Sequence, residues 1–229
     1  MRRKFIFIIM VQMMKNTVIF DLDGTLLNTL DDLADSVNFA LSQQGFPERS
    51  YEEVRLFVGN GIRKLIERSV PKNATPEQTE LCYNTFCEYY KVHMEDKTKP
   101  YDGIPDLLYA LKNAGIKTAV VTNKADFAAQ NLCKEMFGDL ITVTVGANDG
   151  IRHKPYPDGT NLALKLLGTK KEDAYFVGDS DVDILTAKNA GIDPVGVLWG
   201  FRDKATLISA GARVFAKNTE ELKEILLSS

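Results

Sequence analysis

From Pro100 onward the chain alternates helix-period and strand-period segments, and no other feature narrows its fold so far. Residues 105–114 read as a helix closed by Gly115, and residues 117–121 as a buried strand. A helix over 126–136 and a strand over 141–145 follow, then a helix over 158–167 stopped by Gly168 and a strand over 174–177. Residues 183–190, 194–198, 204–210, 214–216 and 219–227 continue the alternation to the end. Strands separated by helices make a parallel sheet with helices on both faces. One more strand stands far upstream, at Thr17–Phe20, and between it and residue 97 only helices are expected. The prediction is an α/β, Rossmann-like doubly wound parallel sheet interrupted by an all-helical cap. The core would be residues 16–28 and 97–229, and the cap residues 29–96.

Inside the cap, Leu30, Leu33, Val37, Ala40 and Leu41 keep helical spacing until Gly45 ends the run. A short helix over 52–57 leads into the turn Val58-Gly59-Asn60-Gly61, and Ile62, Leu65 and Ile66 carry the next helix. Thr75-Pro76-Glu77-Gln78 is a start signal, with Thr75 as N-cap, Pro76 in the first helical position and Gln78 completing a capping box. That helix runs to about His93.

A length of 229 residues suits one large domain or two unequal ones, and a net charge of -3 gives no general attraction to nucleic acid or anionic membrane. Cys82, Cys87 and Cys133 lack metal-ligand spacing and fit free thiols in a reducing compartment. The first 15 residues imitate a signal peptide: Arg2, Arg3 and Lys4 precede an apolar run from Phe5 to Val11. That run is shorter than the ~20 residues of a membrane helix, and no small-residue cleavage site follows. Residues 1–15 are therefore expected to be a leader outside the fold of a cytoplasmic protein, a start assigned too early. The sequence leaves monomer and homodimer equally open.

In open parallel sheets ligands bind beyond the carboxyl ends of the strands. Reading those ends collects Asp21 and Asp23 in Asp-Leu-Asp-Gly-Thr after the first strand, and Thr122-Asn123 after the strand at Lys117. Lys154, in Lys-Pro-Tyr-Pro-Asp, follows the next strand, and Gly178-Asp179 with Asp183 follows the one after. Each element alone has a plainer explanation: Asp and Gly make turns, Asp caps helices, and a lysine beside prolines is usually a solvated loop charge. Together they put four acids, a hydroxyl and a lysine at one mouth. Clustered carboxylates repel unless a cation or shared proton holds them. A hard divalent cation with oxygen ligands, plus a lysine, would let a carboxylate approach a phosphate dianion.

These motifs, in this order from Val18 to Asp183, resemble those of the haloacid dehalogenase-like superfamily of phosphatases and phosphomutases. The resemblance implies Asp21 as nucleophile and Asp23 as general acid and base. It implies Thr122 and Asn123 around the phosphoryl group, Lys154 neutralising charge, and Mg²⁺ held by Asp21, the Asp23 carbonyl and Asp179, with Asp183 supporting that shell. Val58 to Arg63 and Trp199-Gly200-Phe201-Arg202 are similar to segments of phosphoglycolate phosphatases. By that similarity Asn60, Gly61 and Arg63 are cap contacts, with Arg63 available to a substrate carboxylate. A small phosphorylated metabolite is the implied partner. Asp23 argues against a dehalogenase, and the absence of histidine between Asp21 and Asp32 weakens a β-phosphoglucomutase reading. A pyrophosphatase or nucleotidase on the same fold stays open.

Overall fold

The computed structural model describes residues 15–228. Strand β1 (Thr17–Phe20) enters first, followed by the two-residue strand β2 (Leu27–Asn28). Helices α1 (Leu30–Ser42), α2 (Tyr51–Phe57), α3 (Ile62–Ser69) and α4 (Pro76–His93) form the cap, and β3 (Lys99–Pro100) brings the chain back. Then come α5 (Ile104–Asn113), β4 (Lys117–Ala125), α6 (Asp126–Phe137), β5 (Val143–Ala147), α7 (Asp158–Leu167) and β6 (Ala174–Gly178). The last elements are α8 (Asp181–Ala190), β7 (Asp193–Val197), α9 (Lys204–Ala210), β8 (Val214–Ala216) and α10 (Thr219–Leu227).

The six-stranded sheet has the order β5-β4-β1-β6-β7-β8, with every pairing parallel. The chain builds outward from β1 through β4 to β5, then crosses back to start β6 on the other side of β1. The reversal of direction falls at β1, so the crevice predicted by the switch-point rule opens at Asp21 and Asp179. Strand β1 is buried throughout, and its side chains alternate between two cores as a period of two requires. Val18 and Phe20 pack with Leu107, Leu132 and Leu222, while Ile19 packs with Ala163, Phe176 and Ala187 on the opposite face. Complete burial of such side chains contributes about 1.5–3 kcal/mol each.

The cap has its own core, in which Leu33, Val37, Val54, Ile66 and Phe86 meet, joined from the sheet side by Ala128 and Phe201. Its two linkers are hydrogen-bonded to each other, β2 against β3 antiparallel with Leu27 opposite Pro100. The Asp32 carboxylate, buried in the first turn of α1, accepts the Lys97 and Thr98 backbone N–H groups at 2.8–3.1 Å and so holds the returning linker against the outgoing one. The Thr75 capping box is present at the start of α4, as its sequence predicts.

Two strands differ from expectation in extent. Residues 138–140 close a tight 3₁₀ turn after α6, so the chain joins the sheet only at Val143, opposite Ala119. Strand β4 runs on to Ala125, with a register shift against β5 between Val121 and Ala125. An irregularity of this kind re-aims side chains at a strand end. Lys15, expected in the leader, belongs to the fold: its Nζ donates to the Glu172 and Ala174 carbonyls at 3.1 Å and pairs with Asp193 at 2.7 Å. The rest of the proposed leader, residues 1–14, lies outside the described residues.

Candidate active site

Strand β1 delivers Asp21 to the rim of the sheet, and the chain turns at once through Asp23-Gly24. Gly24 has φ +87°, and a Cβ there would stand 2.5 Å from Asp179 Oδ2. Only glycine fits both the backbone and the neighbouring carboxylate. Asp21 Oδ1 accepts the Leu22 N–H at 2.7 Å and pairs with Lys154 Nζ at 2.8 Å. Both contacts fall on one oxygen, which leaves the other as the candidate nucleophilic atom.

Lys154 Nζ also donates to Asp183 Oδ1 at 2.6 Å. The other oxygen of Asp183 accepts the Ser180 N–H at 3.0 Å and the Ser180 hydroxyl at 2.6 Å, completing a capping box at the start of α8. Asp183 thus locates the lysine rather than facing open space. Asp179, at the end of β6, accepts from Thr25 Oγ1 at 3.1 Å and from the Phe201 N–H at 2.7 Å.

Carboxylate oxygens of Asp21, Asp179 and Asp183 lie within 4.8 Å of one another, and all three residues are buried. Three carboxylates against the single ammonium of Lys154 leave two negative charges in a buried volume. Burial and the charge of Asp183 push Asp21 well above the ordinary carboxylate range, against the pull of Lys154. The same two causes push Asp179 up to about 7. Lys154 stays protonated above its usual range because the Asp183 and Asp21 carboxylates outweigh the desolvation that would lower it. A buried all-oxygen cluster short of two positive charges suits a hard divalent cation.

Among the predicted phosphoryl ligands, Thr122 and Asn123 line a cavity of about 60 Å³ with Asp21, Asp23, Lys124 and Lys154. The Asn123 side chain spans two elements: its amide donates to the carbonyls of Gly59 in the cap and Lys154, at 3.0 and 3.1 Å, and its Oδ1 accepts the Lys154 N–H at 2.7 Å. It therefore orients the lysine loop and touches the closed cap. Thr122 Oγ1 accepts the Lys124 N–H at 3.2 Å.

Asp23 stands apart from the acidic triad. Its Oδ1 pairs with Lys124 Nζ at 2.9 Å, and that ammonium donates to Tyr90 OH of the cap at 2.6 Å. Sequence reasoning passed over both Lys124 and Tyr90. A lysine directly after Thr-Asn looks like a solvated charge until the β4 irregularity turns it inward. Tyr90 looks like an ordinary position in a cap helix. The buried, hydrogen-bonded pair holds Lys124 above its normal range despite desolvation, and burial pushes Tyr90 up to about 12.

The cap closes the cavity with Val58, Gly59, Gly61, Ile62 and Leu65, so of the proposed cap contacts Gly61 reaches it. Asn60 and Arg63 lie elsewhere. Arg63 pairs with Glu80 and stacks its guanidinium 3.8 Å over the Tyr83 ring, while Asn60 Oδ1 accepts from Arg68 at 2.8 Å. Both satisfy partners within the cap, because the apolar face of α3, which carries Leu65 and Ile66, is the one turned inward.

Residues 18–197 match the family model of the haloacid dehalogenase-like hydrolases. The chain belongs to that family. It is 32% identical to phosphoglycolate phosphatase 1 of Pseudomonas aeruginosa over 211 residues, covering 90% of this chain and 77% of that protein. With the phosphoglycolate phosphatase of Neisseria meningitidis it shares 35% over 195 residues, 83% of each. A crystal structure from Lactobacillus delbrueckii, provisionally assigned as a phosphoglycolate phosphatase, superimposes with a TM-score of 0.90 at 33% identity, covering 95% of this chain and 100% of that one.

Proposed function

We propose that this hydrolase cleaves small phosphomonoesters of the phosphoglycolate kind with Mg²⁺, through an aspartyl-phosphate on Asp21. One observation carries the reading: Asp21 and Asp183 share the Lys154 ammonium inside a buried triad with Asp179, a site complete except for two positive charges. Asp21, Asp179 and the Asp23 carbonyl would hold the ion, which supplies charge neutralisation at the phosphoryl oxygens. Asp21 attacks phosphorus, the ester oxygen takes the electron pair of the breaking bond, and Asp23 gives that oxygen its proton. Asp23 then accepts a proton from the water that releases phosphate. Lys154 holds the attacking carboxylate in place and offsets charge as the phosphoryl group arrives.

The leaving group meets a mostly apolar cap wall, with Lys124 and the Tyr90 hydroxyl as its charged and polar neighbours. A short carboxylate needs one cation, which Lys124 offers, whereas a polyhydroxylated sugar needs more hydrogen-bond partners than Lys124 and Tyr90 supply. The relatives named above bear the same assignment. Three free thiols, and no helix long and apolar enough to cross a membrane among the described residues, suit a cytoplasmic enzyme.

The test is phosphate release from phosphoglycolate, sugar phosphates, nucleotides and pyrophosphate, each with Mg²⁺ and with excess chelator. The expected result is a kcat/KM for phosphoglycolate at least about tenfold above the others, lost in chelator. Undiminished turnover in chelator, or a nucleotide as the preferred ester, would overturn the reading.

A further inference from the structure

The segment after β7 faces two ways. Toward the sheet, the Phe201 N–H donates to Asp179 Oδ2 at 2.7 Å, and Gly200 must lack a side chain because a Cβ there would run into the Asp179 carboxyl group. Toward the cap, the buried Phe201 ring packs into the cap core and its carbonyl accepts from Arg55 Nη1 at 2.8 Å. The Arg202 guanidinium then donates to the carbonyls of Arg55 at 2.8 Å, Leu56 at 3.2 Å and Val58 at 2.6 Å. These belong to the last turn of α2 and the residue beyond it, where carbonyls lack intrahelical partners and a cation is favoured. Neither Phe201 nor Arg202 lines the cavity. Three consecutive residues therefore join a candidate ion ligand to the end of a cap helix.

We propose that Phe201 and Arg202 are positioning residues that couple ion occupancy at Asp179 to docking of the cap. The inference rests on the metal reading above and extends it. An ion that fixes the Asp179 carboxylate also fixes the peptide hydrogen-bonded to it, and that peptide sets Arg202 against α2. Coupling of this kind is reciprocal: the ion favours the docked cap, and the docked cap favours the ion by the same factor. Substrate is not needed for that part of closure.

The experiment uses the full chain with Mg²⁺ alone as probe, in the wild type, Arg202→Met and Arg202→Lys. Calorimetry gives ion affinity, and amide hydrogen exchange over residues 51–61 with and without Mg²⁺ gives cap docking. In the wild type Mg²⁺ should slow exchange there about fivefold, the low end of ordinary coupling. Arg202→Met should abolish that Mg²⁺ dependence and weaken ion binding by a similar factor, although Arg202 is no ligand. Arg202→Lys, which keeps a cation at the α2 carbonyls, should retain part of both effects. Exchange that ignores Mg²⁺ in the wild type overturns the proposal, as does an unchanged ratio with and without Mg²⁺ in Arg202→Met, which would mark a merely structural arginine. If wild-type protein binds no Mg²⁺ by calorimetry, the ion assignment falls and the coupling falls with it. Should Arg202→Met not fold, the wild type and Arg202→Lys still decide the matter.

Discussion

At the scale of single residues, the site divides its acids by environment. Asp21 shares a lysine with Asp183 and faces the triad, whereas Asp23 faces Lys124 and the cap. The two carboxylates are two positions apart in sequence, and their surroundings set them different work. Asp21→Asn should abolish turnover of every ester, because the amide is no nucleophile. Asp23→Asn should cost about 10²–10⁴-fold with an alkyl phosphate such as phosphoglycolate, and much less with 4-nitrophenyl phosphate, whose leaving group hardly needs a proton. Steady-state rates on the two esters decide this; equal losses would take the proton-donor role from Asp23. Lys124→Met removes the partner of the half-buried Asp23 carboxylate and the cavity's cation on the leaving-group side. It should lower kcat/KM for phosphoglycolate more than for ethyl phosphate, by about 1.5–3 kcal/mol, a ratio of about 10–150, if a charged hydrogen bond to the leaving group is lost.

At the scale of elements, the pair of linkers to the cap is a built object. Strands β2 and β3 pair, and Asp32 accepts two backbone N–H groups of the return linker from inside the first turn of α1. Asp32→Ala leaves the buried Thr98 N–H and the part-buried Lys97 N–H without their acceptor, which should destabilise the chain by about 1.5–3 kcal/mol. Urea denaturation measures this, and a change within about 0.5 kcal/mol would show that the clamp contributes nothing. Most elements could be read in advance because helical periodicity, caps and glycine stops are local signals. Strand ends could not. The tight turn at residues 138–140 and the irregular end of β4 depend on which strand lies alongside. The same limit hid Lys124, whose inward direction is a property of that pairing, and misplaced Arg63, whose partner Glu80 comes from the next helix. The acids and Lys154 were legible for the opposite reason: Asp21 and Asp179 directly follow strands and the others sit in the loop or first helical turn beyond one, so topology alone brings them to one rim.

At the scale of the whole molecule, the buried acids make stability depend on pH and on the ion together. Asp179, raised to about 7, holds its proton in the folded chain over a range where the unfolded chain, near 3.8, has lost it. The folded state then binds more protons, so stability falls as pH rises from about 4 through about 7. Asp21 is shifted in the same direction and adds to the fall. The protein in chelator should therefore melt lower at pH 8 than at pH 5.5, and Asp179→Asn should flatten that difference. At pH 8, Mg²⁺ at ten times its Kd should add about 1.4 kcal/mol, or roughly 3–5 °C of Tm. Melting that is flat in pH without the ion, and indifferent to Mg²⁺, would contradict this charge balance.

The place of β1 in the sheet also governs how the chain is assembled. Thr17 pairs with Lys117 on one side and Ala174 on the other, so the strand carrying Asp21 is made first but gains its second neighbour only when β6 is made. At ordinary synthesis rates of about 5–20 residues per second, some 8–30 s pass on the ribosome before its second neighbour exists. Throughout that interval an apolar strand has at least one edge unpaired, an invitation to aggregate. The helical insertion, whose contacts are largely local, can form in the meantime and wait for the sheet to close around its roots.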